Sequence, residues 1–380
     1  MQTPPPIEVP PDAARRFVRR ALLIDQKAPT VAAALSHLGY IQIDPINVCG
    51  RMHDLILRNR VKGYREGDLV SHLHGEDRYL SADERIAFEH HLPGGSTHIL
   101  VAFELHAWPH LLAAMRVRAR ESSLWSGRLS RAESALVPRI LEEISARGPL
   151  SSEDLSDKRP GRHYWGTGTM AKAAMQKMYF HGRLLIAGRS HGRRKYDLPE
   201  RVLPARVLSL PEASPRETER WLAITALRQR RLVSLKKTAL AAVTDLVQPI
   251  KLTTGGPLLH CLQTDRPIWE EVRSPAAGTA DPEPPAPLLL APLDPIIYDR
   301  KVTQAVWGFD YVWEAYTPPA KRVRGHYAMP LLSGLEIVGH VDSKANRDEG
   351  RLKVVGKSVR RGFKASPAVK ELAAFLRLRA

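Results

Sequence analysis

The stretch Tyr40-Ile41-Gln42-Ile43-Asp44-Pro45 alternates apolar and polar side chains. A period of two predicts a short strand, with Ile41 and Ile43 on one face and Gln42 and Asp44 on the other. Pro45 biases Asp44 away from the α region and ends the strand, so a carboxylate stands at a defined corner. Taken alone, the pair also fits two polar residues on a solvated strand face. The setting gives it weight. The 380-residue chain carries 57 Lys and Arg against 40 Asp and Glu, a formal net charge of +17. A lone acid at a fixed corner of so basic a molecule can stabilise a developing cation beside a polyanion.

Around that strand the pattern predicts helices from about Asp12 to Ile24, Thr30 to Leu38 (stopping at Gly39) and Asn47 to Val61. Two helices, a tight connection and an Arg-studded third describe a helix-turn-helix type of unit. A clearer module spans 136–199. Pro138 suits the first position of a helix running to Arg147, and Gly148 suits its C-cap. Ser151 or Ser152 caps a short helix through Leu155. A third helix, near Thr167 to His181, puts Met170, Ala174, Met175 and Met178 on one face, a core stripe. Two strands, Leu184–Ala187 and Lys195–Leu198, then flank Ser190-His191-Gly192-Arg193. Three helices and a hairpin make a winged helix.

The remainder divides by composition. Residues 1–10 read as a disordered lead-in. Helices Glu217–Arg230 and Lys236–Val243, with strands through Cys261, suggest a third winged-helix-like unit. Residues 274–287 are Pro- and Ala-rich, a linker or long surface loop. Beyond it, Leu288–Ile297, Phe309–Tyr316, His326–Leu332, Glu336–Val341 and Leu352–Val355 read as strands of a small antiparallel barrel or sheet. A helix opening at Ser366-Pro367 closes the chain. The expected fold class is α+β: tandem winged-helix domains with a C-terminal antiparallel β-barrel-like domain. The expected domains are 11–135, 136–204, 205–273 and 288–380.

Composition excludes several function classes. Two cysteines, Cys49 and Cys261, with no CxxC and no His/Cys cluster, argue against a zinc site or a disulfide framework. No metal or other cofactor is expected. No apolar run approaches a membrane span and no secretory signal is visible, so a cytoplasmic protein is expected. The cationic excess makes nucleic acid the first partner to consider, because neutralising phosphates releases counterions.

Candidate DNA-binding residues fall in three groups. Arg51, His53, Arg58 and Arg60 follow the Gln-Ile-Asp strand, with Asp54 placed to pair with Arg58 four residues on. Arg189, Arg193, Arg194 and Lys195 surround the predicted wing, where a solvated basic turn is an equal alternative. Lys321, Arg322 and Arg324 open a C-terminal segment with fourteen Lys/Arg and five acids.

The run Gly39-Tyr-Ile-Gln-Ile-Asp-Pro-Ile-Asn, followed by Gly50-Arg-Met-His-Asp-Leu, resembles the N-terminal signature of the YcaQ/AlkZ family of DNA glycosylases. The likeness returns at Lys177-Met-Tyr-Phe-His-Gly-Arg-Leu-Leu-Ile-Ala and at Tyr196-Asp-Leu-Pro-Glu-Arg-Val-Leu-Pro. It continues at Leu290-Ala-Pro-Leu-Asp-Pro, Asp299-Arg300, Gly308-Phe-Asp-Tyr and Lys321-Arg. The resemblance implies a bacterial winged-helix enzyme that excises N7-alkylpurines and unhooks interstrand crosslinks, with a basic DNA channel. Its catalytic element would here be Gln42-Ile43-Asp44, and the acid in the last place resembles the YcaQ-like branch rather than the AlkZ branch.

The chemistry suits those residues. Alkylation at N7 makes the purine a good leaving group, so what remains is an oxocarbenium-like sugar and an attacking water. A carboxylate such as Asp44 can stabilise the cation and orient or deprotonate the water, while Gln42 holds that water or a sugar or phosphate oxygen. No lysine stands near Gln42 in sequence, which favours a monofunctional hydrolase over a Schiff-base lyase. The expected partner is double-stranded DNA carrying alkylated purines or crosslinks, with no membrane and no obligate protein partner. A non-catalytic winged-helix DNA-binding protein or transcriptional regulator is the alternative, and an RNA-binding protein a more distant one.

Overall fold

A computed structural model describes residues 4–94, 99–163, 166–190, 192–274 and 286–380. It is an α+β chain that divides into two units, Met1–Asp68 with Glu219–Ala380, and Leu69–Thr218. Segments 11–68 and 219–273, read from sequence as parts of separate domains, thus share one unit with the C-terminal segment.

In the first unit, the helix Pro11–Ala21 begins with Pro at its first position and buries Ala14, Phe17, Val18 and Ala21 along one stripe. Phe17 stacks on Trp269 with ring centroids 4.0 Å apart. Thr30 caps the helix Val31–Leu38 through the Ala33 amide, and Gly39 ends it at φ +80°, a conformation that favours glycine. Residues 7–9 are not a disordered lead-in. They form a strand parallel to Val247–Leu252, which in turn pairs antiparallel with Leu259–Leu262. Apolar Ile7 and Val9, spaced by two, have an edge to complete there.

The C-terminal part of this unit holds a four-stranded sheet, ordered Leu288–Leu289, Ala328–Ser333, Glu336–Asn346 and Arg351–Val359. It is an open sheet, and among the described residues no closed barrel forms. Of the five expected strands, Phe309–Tyr316 is not one, and most of Leu288–Ile297 is a turn and a short 3-10 segment. A helix absent from the sequence reading, Arg300–Trp307, lies between these two segments, capped by the Asp299 carboxylate and ended by Gly308 at φ +63°. The closing helix Ser366–Phe375 lies where expected and buries Ala368, Val369 and Leu372 against the sheet's core.

In the second unit, Ala87–His91 and Leu100–Glu104 form an antiparallel pair. The helix Arg131–Arg147 starts seven residues before Pro138, because Ser130 and Glu133 make a reciprocal capping box. Pro138 lies inside it. The expected short helix at 151–155 is a turn built on Asp154, whose carboxylate accepts from the Ser151 amide and hydroxyl. The helix Met170–Phe180 buries Met175 and Met178 as predicted, while Met170 at its start is only half-buried, and the hairpin Leu185–Ser190/Arg193–Asp197 comes after it. His191 and residues 275–285, most of the predicted linker, lie outside the described residues.

Candidate active site and DNA interface

Ile41 and Gln42 form the strand, both buried, and the chain leaves extended pairing before Asp44. The alternation therefore does not divide wet from dry, since Gln42 is only 7% exposed. Its Oε1 is buried with no hydrogen-bond donor among the described residues. A buried carbonyl oxygen left in this state costs on the order of 1–3 kcal/mol unless a water or ligand serves it.

Asp44 is half-buried, and its Oδ1 accepts from the Ile46 amide at 2.9 Å across Pro45. Burial pushes its carboxyl above the ordinary value, and the Ile46 amide only partly offsets this. Among the described residues no Lys, Arg or His forms an ion pair with Asp44. In a chain with 57 cationic Lys and Arg, that is a carboxylate kept available.

The corner is braced from far along the chain. Val48 O accepts from the Ala345 amide at 2.9 Å, and Gly50 O from the Tyr327 hydroxyl at 3.4 Å. Asn47 Oδ1 accepts from the Gly50 amide at 3.1 Å. Gly50 sits at φ +126°, and a Cβ there would lie 3.0 Å from Leu55 Cδ2, so only glycine fits. This glycine, with Asn47, is also why the predicted helix 47–61 shrinks to Met52–Leu57. Ile46, Val48 and Trp313 pack on the same core as Tyr327 and Cys49. Tyr327 and Tyr316 both have phenols pushed up, first by burial, with the Asp44 charge adding to it.

The cations that come after the strand are mostly committed inward. Arg60 is fully buried and clamps Asp294 through two bonds of 2.8 and 2.6 Å, with a third to Ile56 O. Arg58, 4% exposed, bonds Glu371 and Leu289 O rather than Asp54. Asp54 instead accepts from the Tyr64 hydroxyl and the Gly67 amide. His53 is buried beside Asp54, its Nε2 3.6 Å from that carboxylate. His53, Arg58 and Arg60, expected from sequence to reach phosphate, are each held in the core. Arg51 remains half-buried at the head of the helix.

The wing cations also have internal partners. Arg189 bonds Glu89, a buried carboxylate shared with His74. Arg194 lies 5.6 Å over the Tyr179 ring, and Lys195 bonds Asp154 at 2.6 Å. Arg193 pairs with Glu153 at the surface, where both remain exposed. Such a surface pair is worth little and exchanges readily for phosphate, whereas Arg189 and Arg194 serve the unit's interior. In the C-terminal group, Lys321 is exposed, Arg322 bonds Thr317 O and Arg324 bonds Asp310 O.

The residues that sequence reasoning misses are the partners. Asp294 belongs to the Leu290–Pro295 motif and answers Arg60 in the N-terminal one. Glu133 answers Lys177, and Glu314 organises the 323–325 backbone. Much of the motif set is thus scaffold. Among the described residues no cluster of His, Cys, Asp or Glu could hold a metal ion. Cys49 and Cys261 are free and buried, and among the described residues no helix is long and apolar enough to cross a membrane.

The structure is similar to that of the Streptomyces sahachiroi DNA glycosylase AlkZ, with a TM-score of 0.56 over 98% of this chain and 99% of that one. At 12% identity that likeness speaks for the fold. Residues 35–378 match the family described as DNA glycosylase AlkZ-like. The fold and match define an enzyme of DNA repair that acts on N-glycosyl bonds. The chain belongs to the AlkZ-like DNA glycosylases.

Proposed function

We propose that this glycosylase hydrolyses the N-glycosidic bond of N7-alkylated purines in duplex DNA, including the unhooking of interstrand crosslinks. Asp44 is the catalytic carboxylate and Gln42 the positioning amide, an arrangement in keeping with a YcaQ-like branch. The observation that carries this reading is the state of the pair. Among the described residues, a carboxylate with no ion-pair partner stands two residues beyond a buried amide oxygen with no donor.

The chemistry rests on the charges. Departure of a cationic base needs no strong acid, so the barrier lies in charge developing on the sugar. An ionised Asp44 attracts that charge and turns a water toward the anomeric carbon. The vacant lone pairs of Gln42 accept from the same water, or from a sugar hydroxyl. No lysine is needed, so the product is an abasic site with the strand intact.

The helix Met170–Phe180 with its hairpin is proposed to be a winged helix that meets the DNA backbone, with Arg193 the wing cation most ready to exchange its partner. Arg51, Lys321, Arg322 and Arg324 are proposed phosphate contacts. The test is incubation with duplex DNA carrying N7-methylguanine, and separately a nitrogen-mustard crosslink, then detection of free base and of unhooked strands. Release that vanishes in Asp44→Asn while DNA binding persists supports the reading. No release from either lesion, together with tight binding to one unmodified sequence, would indicate a regulator instead.

A further inference from the structure

Among the described residues, the two most exposed large apolar side chains are Val323, at 82%, and Tyr316, at 72%. They lie on one loop. Glu314 is buried, and its carboxylate accepts from the amides of Val323, Arg324 and Gly325 at 2.8–3.1 Å. The Arg322 guanidinium closes the loop onto Thr317 O at 2.8 Å, bringing the residue after Tyr316 to the residue before Val323. Gly325, at φ +127°, lies so near the Asp342 carboxylate that no Cβ fits, and Asp342 also takes the His326 and Tyr327 amides. Three backbone N–H groups on a buried acid make a preorganised turn, not a slack one. The exposure of Val323 is thus enforced by the fold.

The loop's position and charge say what it meets. Trp313 packs against the core that holds Ile46 and Val48, and Tyr316 lies 5.8 Å from Trp313, edge to face. Lys321, Arg322 and Arg324 flank the apolar tip. An aliphatic tip between cations, on a rigid turn, is how proteins open a base step while holding the phosphates on either side. An apolar protein surface does not call for three flanking cations, and an acidic one does not call for an aliphatic tip, whereas a base stack between two phosphate backbones calls for both.

We propose that the Glu314-organised loop is a DNA wedge, with Val323 entering the base stack beside the lesion and Tyr316 supplying an aromatic face to the parted base. Val323 and Tyr316 are positioning residues for the reaction at Asp44, and the claim rests on the proposed placement of chemistry there. Parting one base step is unfavourable, and the flanking phosphate contacts offset it.

The test uses the full chain and a duplex holding 2′-fluoro-7-methylguanine, whose glycosidic bond resists hydrolysis, next to 2-aminopurine as a stacking reporter. Saturating wild-type protein should raise the reporter's fluorescence. Val323→Ala should lose most of that rise at saturation, and Val323→Leu should keep it, a rescue that a merely structural role does not predict. A Val323→Ala protein that brightens the reporter as wild type does, or a wild type that leaves it dark, overturns the wedge. Release of free base from ordinary N7-methylguanine duplex is measured in parallel. Its absence with the fluorescence rise intact sinks the proposed chemistry and still supports the wedge.

Discussion

Arg60→Met separates two roles that one arginine can play, a phosphate contact and a core clamp. Arg60 and Asp294 are both fully buried, joined by two hydrogen bonds, with the guanidinium also bonded to Ile56 O. Removing the cation leaves Asp294 charged and without its partner in the interior. Breaking a buried pair in this way costs about 3–5 kcal/mol. For a unit of this size a melting temperature falls roughly 2–4 °C per kcal/mol, so the loss is on the order of 10 °C. Asp294 Oδ1 also accepts from the Ile296 amide, a bond that an amide side chain keeps. Arg60→Met combined with Asp294→Asn should therefore recover most of the loss, because the uncompensated charge is gone. Calorimetry of the three proteins measures this, and DNA binding against salt measures the alternative. A true phosphate contact would lower the salt slope by about one. An Arg60→Met protein with unchanged melting and a slope reduced by one refutes the clamp.

Three further outcomes are expected. Asp44→Asn should slow single-turnover release by about three orders of magnitude, since opposite charges 4 Å apart at an effective dielectric of 20 attract by about 4 kcal/mol. Burial raises the Asp44 pKa, so its protonated form favours the fold and that contribution is lost as pH rises through the folded value. Asp44→Asn should accordingly melt no lower than the parent at neutral pH, and the parent's rate should fall on the acid side at a pH above 3.8. Gln42→Leu should leave stability level or higher, because it removes an unserved buried oxygen, while lowering the rate about a hundredfold. In the second unit, burial would raise the Glu89 carboxyl, but Arg189 and His74 outweigh it and hold it well below its usual range. That stability is present above the ordinary carboxylate pKa and lost as pH falls through the depressed one. Glu89→Gln should therefore cost about 3 kcal/mol near neutrality, with the gap to the parent closing in acid, read from melting against pH.

What sequence reveals here is local, and what it hides is partnership. The caps at Thr30 and Gly39, the stop at Gly148 and the methionine stripe of Met170–Phe180 are set within a few residues, and each stands where periodicity places it. The start of Arg131–Arg147 is misplaced by its proline, which suits a first turn, yet the capping box seven residues earlier governs. Arg58 and Arg60 look like a basic helix face until Glu371 and Asp294 arrive from more than 230 positions away. Arg189 is likewise matched by Glu89, 100 positions off. Phe309–Tyr316 carries strand-like residues, but Glu314 draws the three amides of 323–325 onto itself and bends the intervening segment into a loop. Gln42 and Asp44 are legible as polar residues at a corner. That neither is matched by a side-chain donor or cation among the described residues is a property of the fold alone.

The bracing of the acid's corner bears on when the enzyme comes into being. Tyr327 reaches Gly50 across 277 residues, and Glu371 holds Arg58 across 313. A ribosome that has delivered the Gln-Ile-Asp segment has delivered only its local bonds at Ile46 and Gly50, and the distant braces follow after more than 270 further residues. An unfinished or truncated chain thus carries the proposed catalytic residues without their support.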